Sequence, residues 1–313
     1  MSNQMQLQTR GRLRARTRTK DSEFNLAFQI IAYSVIIVLS LMCLLPFLLI
    51  LSGSFTSNES IVRDGYHLFP THFSLEGYKM VFKFPTQVLK AYGVTVFTTV
   101  VGTTLGLFFI TMAGFVLQRK DFKYRNTFSF FIYFTTLFGG GLVPWYIMLA
   151  NYFNLTDTYT VLIFPGLMTP FLIILMKNFI RSAVPDELIE SAKIDGANDF
   201  RIYFSIVLKL AMPGIATVGL FLALGYWNDW FTSSLFINNP DMYQLQFYLY
   251  NTMNTITFID QMAIGTGVTL SQDVPTESTK MAMAIIVTGP ILFLYPFVQR
   301  YFVKGLTIGA VKG

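Results

Sequence analysis

The chain has 313 residues, of which 53% are hydrophobic and 13% charged. A soluble globular protein carries about 25% charged residues, so this composition excludes an ordinary water-facing surface. The net charge of +6 invites a nucleic-acid reading, but no recognition fold accompanies the basic stretch Arg10 to Lys20. The single cysteine, Cys43, excludes an intrachain disulfide and a cysteine-based metal site. His67 and His72 lie in a polar loop and are too few to build a metal centre by themselves.

In chain order, a basic tail (1–25) precedes an apolar body (26–303) and a short polar end (304–313). The tail is arginine-rich and lacks a small-residue cleavage site after the first apolar run, which predicts a retained first span. Six apolar segments are long enough to cross about 30 Å of hydrocarbon, which takes about 20 helical residues. They run near Leu26–Leu51, Ala91–Leu117, Phe128–Ala150, Tyr159–Phe179, Ala211–Ile237 and Met281–Val303. Runs of this length satisfy their backbone in lipid only as helices, so the expected fold is an all-α polytopic membrane protein with six transmembrane helices.

Lysine and arginine set the orientation. With the N-terminus cytoplasmic, only Arg63, Lys79, Lys83, Lys90 and Lys280 of the 23 basic residues fall outside. Both termini are therefore expected in the cytoplasm, with long extracytoplasmic loops near 52–90 and 238–280. The run Gly139 to Gly141 ahead of Pro144 predicts an irregular turn within the third span.

The inside loop Val184 to Pro213 is the most informative. Pro185 suits a helix start, Asp186, Glu187 and Glu190 complement its positive end, and Gly196 permits a left-handed stop. A short helix of about Asp186 to Asp195 follows from these signals. A second helix, capped by Asn198 or Asp199, carries Phe200, Tyr203, Phe204, Val207 and Leu208 as an apolar stripe. The pair makes a compact, stiff element able to transmit force from a cytoplasmic partner.

Span five contains Tyr226-Trp227-Asn228-Asp229-Trp230-Phe231. Polar groups in a membrane helix usually face a bundle interior or a water-filled cavity. Trp227, Asn228, Asp229 and Trp230 offer the amide, carboxylate and ring faces that bind sugars. The same residues equally fit an interfacial aromatic belt. No G-x-x-x-x-G-K-[ST] phosphate loop, H-E-x-x-H or histidine–carboxylate cluster occurs, so neither an ATPase site nor a membrane enzyme is expected.

Glu190, Ser191, Ala192, Asp195, Gly196, Ala197, Tyr203 and Ile206 resemble, in step, the EAA loop of binding-protein-dependent ABC permeases. The pattern departs at Ser191, where alanine is usual, and at Lys209, where a first proline is usual; Pro213 occupies a second common proline position. The tail Lys304 to Gly313 resembles that of maltose-type permeases. The resemblance implies a bacterial inner-membrane permease of the carbohydrate-importer branch. In it Glu190, Ser191, Ala192, Asp195, Gly196 and Ala197 dock on an ATPase subunit, and Gly305, Gly309 and Lys312 touch the ATPase pair. It further implies a second homologous permease subunit, two ATP-binding cassette subunits holding ATP and Mg, and an extracytoplasmic sugar-binding protein. No cofactor is implied for this chain itself. A polyol or glycerol phosphate as solute, and a stand-alone secondary transporter, are the alternatives; Asp229 is the only clear acid within a span, which leaves ion coupling little material.

Overall fold

The computed structural model describes residues 2–83, 85–266 and 275–292. Among them the chain is helical, and the only extended pairing is one antiparallel bridge, Thr56 to Phe73.

Helix α1 (Ser2–Ser54) runs out of the basic tail and through the first apolar segment without a break. From Phe28 to Leu48 it is exposed along nearly its whole length among the described residues, and only its end at Ser52–Ser54 is buried. Helices α2 (Asn58–Asp64) and α3 (Glu76–Val81) then fold into a small cap. Ser57 N donates to His72 O (2.9 Å), Ser74 N to Phe55 O (2.8 Å) and Tyr78 Oη to Ser54 Oγ (3.0 Å). The segment between α1 and α4 is thus ordered by its own backbone and aromatic contacts.

Helix α4 (Pro85–Gln118) is the hub, and packs along α8 (Pro170–Ala183) and α12 (Met212–Trp227). Close approach depends on small residues. A Cβ at Gly102 would sit 2.5 Å from the Tyr226 ring, so only glycine lets α12 lie against α4 there. Tyr226 in turn donates to Ile163 O (2.7 Å), which satisfies its buried hydroxyl.

Two expected spans, the third and the fourth, are bent pairs, and a third sharp bend stands at the start of the expected fifth span. Helix α5 (Arg125–Leu137) meets α6 (Leu142–Ile147), with its π extension Met148–Tyr152, at 112°. The glycine run lies in this break, with Gly141 at φ 89°, and Pro144 follows in the first turn of α6, where no intrahelical N–H is needed. Helix α7 (Tyr159–Ile163) and the 3₁₀ turn Phe164–Gly166 meet α8 at 49°, between Pro165 and Pro170. After α9 (Asp186–Ile194), α10 (Asp199–Ile202), a π turn (Tyr203–Val207) and α11 (Leu208–Leu210) form one rod, which meets α12 at 83°. Pro213, early in α12, makes this last bend even though Lys209 stands where a proline is usual.

Beyond α12 come α13 (Phe231–Phe236), α14 (Leu245–Thr266) and α15 (residues 276–292). Helix α14 fills much of the segment 238–280, which is expected from the sequence as a long connection between spans. Its sequence holds no proline and keeps glycine to its last turn, so nothing breaks a helix, and its start is plugged into the bundle. Gln244 is fully buried, accepts from Ser233 Oγ (2.8 Å) and donates to Thr98 Oγ1 (3.2 Å), while Leu245 N donates to Thr95 Oγ1 (2.7 Å). Two single helices, Phe28–Ser54 and Pro85–Gln118, are long and apolar enough to cross a membrane; counting each bent pair as one span gives up to five crossings among the described residues.

Candidate functional site: a helix–turn–helix knob and an aromatic shelf

The loop between α8 and α12 folds as a rigid knob. Pro185 leads into α9 with extended backbone, and Asp186 and Glu187 occupy its first turn. Gly196 ends it at φ 79°. Gly196 N donates to Lys193 O (3.0 Å) and Ala197 N to Ala192 O (2.9 Å), the paired bonds of a Schellman stop. Asn198 then caps α10 by accepting from Arg201 N (2.8 Å). Ile189 is buried, and Ala192 and Ala197 pack against the same core. Glu190, Ser191, Asp195 and Gly196 face outward. Of the six residues singled out in the sequence, four are therefore presented at the surface and two lie beneath it.

One further side chain of the knob stands out among its apolar residues. Ile194, in the last turn of α9, is 86% exposed, with Leu188 and Phe200 exposed nearby in sequence.

The second helix departs from the expected stripe. Ile202, Tyr203 and Val207 are buried, whereas Phe200 and Phe204 are exposed. The π turn Tyr203–Val207 adds a residue to one turn and rotates the buried face. Tyr203 Oη meets Thr111 Oγ1 of α4 at 2.6 Å, which ties this rod to the hub.

An ionic frame fixes the knob to the α4–α5 loop. Arg119, 9% exposed, donates to both Asp121 and Asp199 and lies over the Phe115 ring (5.5 Å). Lys193 Nζ reaches Asp121 (2.7 Å), and Lys120 Nζ reaches Asp186 (2.6 Å). The Arg119 hydrogen bond, joined by that of Lys193, holds the Asp121 carboxyl well below the usual carboxylate range. Hydrogen bonding to Asp121, then Asp199, raises Arg119, so the frame stays charged.

On the opposite end of α12 the four residues of the second motif diverge. Trp227 is 6% exposed, turns inward and donates Nε1 to Val287 O of α15 (3.3 Å). Asp229 Oδ1 accepts from Thr232 N (3.0 Å) and starts α13. Asn228 closes α12 through Leu224 O (2.9 Å) and accepts from Gln246 Nε2 (3.1 Å). Trp230 is 42% exposed and lies 4.8 Å from the Tyr250 ring, itself exposed. The structure thus joins Asn228 and Trp230 to Gln246 and Tyr250 in one amide-and-aromatic shelf, and separates them from Trp227 and Asp229. Gln246 and Tyr250 belong to a segment that reads as a loop, so their partnership becomes visible only once α14 is placed. Gly305, Gly309 and Lys312 lie outside the described residues.

Long apolar helices, bent at prolines and glycines around a small-residue hub and carrying a braced helix–turn–helix knob, define a polytopic membrane protein. Residues 106–308 match the family described as binding-protein-dependent transport system inner membrane component. The chain belongs to that family. It is 36% identical over 292 residues to the polygalacturonan/rhamnogalacturonan transport system permease protein YtcP of Bacillus subtilis, covering 92% of this chain and 99% of that one. It is 41% identical over 271 residues to Protein LplC of the same organism, covering 86% and 90%. Among solved structures it is similar to a bacterial ABC transporter involved in the import of the acidic polysaccharide alginate. That match has TM-score 0.77 and 28% identity, and covers 88% of this chain and 96% of the other.

Proposed function

We propose that this chain is one half of the pore of an ATP-driven importer that carries an oligosaccharide across the bacterial inner membrane. Family membership supports the importer class. The outward-facing knob of Glu190, Ser191, Asp195, Gly196 and Ile194 on its ionic frame carries the mechanism. In this reading the chain spans the membrane six times with both ends inside, and a second homologous permease completes the pore. Two ATP-binding cassette subunits, holding ATP and Mg, take the knob into a cleft; Ala192 and Ala197 set its height from below. Gly305, Gly309 and Lys312 reach the same subunits. ATP hydrolysis belongs to those partners.

ATP binding closes the ATPase pair and displaces the knobs. Because the rod at Asp199–Leu210 joins α12 through a stiff bend, the displacement turns α12 and opens the pore outward. A binding protein then releases its sugar to the outer ends of the helices. Asn228 and Trp230, with Gln246 and Tyr250, receive it by amide hydrogen bonds and ring stacking, while Trp227 and Asp229 hold the shelf in place. Oligomers of uronic acids are the first substrates to test, since one relative is named for polygalacturonan and one structural neighbour for alginate.

The test is uptake by proteoliposomes holding the full complex, with its binding protein outside and ATP inside. Oligogalacturonate, a neutral oligosaccharide and glycerol phosphate are compared. ATP-dependent uptake of an oligosaccharide is expected. Uptake of glycerol phosphate alone would replace the sugar assignment, and uptake that persists without ATP would refute the ATP-driven reading.

A further inference from the structure

A cavity of about 270 Å³ opens where the ends of α4 and α8 meet the start of α5, beside the base of α9. Its wall gathers Gln118, Lys120, Arg125, Lys177, Arg181 and Asp186. The one carboxylate in that set, Asp186, is already engaged by Lys120 at 2.6 Å. Among the described residues no carboxylate pairs with Arg125, Lys177 or Arg181; Lys177 Nζ donates only to the neutral Ser129 Oγ (2.8 Å). Three cations therefore surround one space with no counter-charge of their own among the described residues. The negative C-terminal end of α8 accounts for Arg181 in its last turn, but not for cations converging from α5 and from mid-helix Lys177.

A second observation points the same way. Gln118, the last residue of α4, is 6% exposed, and its Nε2 has no hydrogen-bond partner among the described residues. A buried amide donor left unpaired costs about 1–3 kcal/mol, and an acceptor in the cavity removes that cost. An oxyanion in the cavity supplies the acceptor and the counter-charge together. Guanidinium and ammonium groups around a fixed amide donor suit the tetrahedral oxygens of a phosphate group.

We propose that this cavity binds an anionic phosphate group, that of an acidic lipid headgroup at the membrane surface. The reading that puts α9 in the cytoplasm puts the cavity at the level of the inner-leaflet headgroups. Its position between α8 and the root of α9 lets bound phosphate stiffen the seat of the knob. A free phosphate ion has the same chemistry, and the experiment separates the two sources.

The purified full complex, stripped of lipid, is followed by thermal unfolding in two titrations. One compares nanodiscs of phosphatidylcholine with nanodiscs containing phosphatidylglycerol. The other compares inorganic phosphate with chloride at matched ionic strength. An upward shift with phosphatidylglycerol alone supports the lipid headgroup. A shift with inorganic phosphate as well keeps the site and makes the source soluble. In either case Lys177→Met should weaken the effect about tenfold, the worth of one charge-assisted contact, and Lys177→Arg should retain it. The exposed substitution Arg181→Gln gives the same reading if Lys177→Met does not assemble. No shift with either probe, or titrations unchanged by both Lys177→Met and Arg181→Gln, would overturn the proposal.

Discussion

Replacing Gly196 with valine should uncouple ATP hydrolysis from transport without disturbing membrane insertion. Gly196 sits at φ 79°, and a Cβ there meets nothing within 4 Å, so the penalty is purely one of backbone conformation. The left-handed region costs an ordinary L-residue about 1–2 kcal/mol, and a β-branched one is worse placed. Moving out of that region breaks the Gly196–Lys193 and Ala197–Ala192 bonds, each worth about 1 kcal/mol. By either route the native turn loses about 2 kcal/mol, which lowers the ratio of correctly shaped to altered knobs by about 30-fold. Gly196→Asn should lose far less, because asparagine tolerates this conformation. The assay is binding-protein-stimulated ATPase activity and uptake in proteoliposomes, with expression and assembly checked in parallel. Valine and asparagine variants that couple equally well would refute the reasoning.

Other consequences are equally direct. Arg119→Met removes the shared partner of Asp121 and Asp199, and should lower the thermal unfolding midpoint by the equivalent of about 1–3 kcal/mol and impair coupling. Unchanged stability and coupling would show the ionic frame to be idle. Because the folded pKa of Asp121 is depressed, its stabilising contribution is complete above the ordinary carboxylate pKa of about 3.9 and fades as pH falls below it. Stability read by thermal unfolding should not lose this contribution between neutrality and about pH 5. Trp227→Ala should destabilise the complex by about 3 kcal/mol, through lost packing against α15, whereas Trp230→Ala should spare stability and reduce sugar uptake. Equal effects of the two on stability would remove the distinction between support and shelf.

The chain exposes its local punctuation readily and its long-range pairings poorly. Pro185 and Gly196 bound α9 in the sequence to within a residue of where the structure bounds it, because cap and stop chemistry is local. The glycine run at 139–141 likewise marks the bend between α5 and α6. The expected stripe holds at Tyr203, Val207 and Leu208 and fails at Phe200 and Phe204, because Ile202 takes a buried place on the rod that the residue spacing alone does not single out. Arg119 reads as one more inside charge until Asp199, 80 positions away, is brought to it. Trp227 and Trp230 look alike in sequence, and only the end of α12 between them sends one inward and the other to the surface. Helix α14 is hidden because its polar and aromatic residues fail a membrane-span pattern, while its anchor, Gln244, depends on Thr98 in a distant helix.

The most direct test of the coupling account places a single reactive group on the knob. Cys43 is the only cysteine, so Cys43→Ser with Ile194→Cys leaves one thiol at an exposed position in the last turn of α9. In the transport-competent complex, a thiol-directed cross-linker at position 194 should capture the ATP-binding cassette subunit, and the yield should change when ATP binds. A complex that transports normally while this thiol stays free and reaches no ATPase subunit would contradict the account.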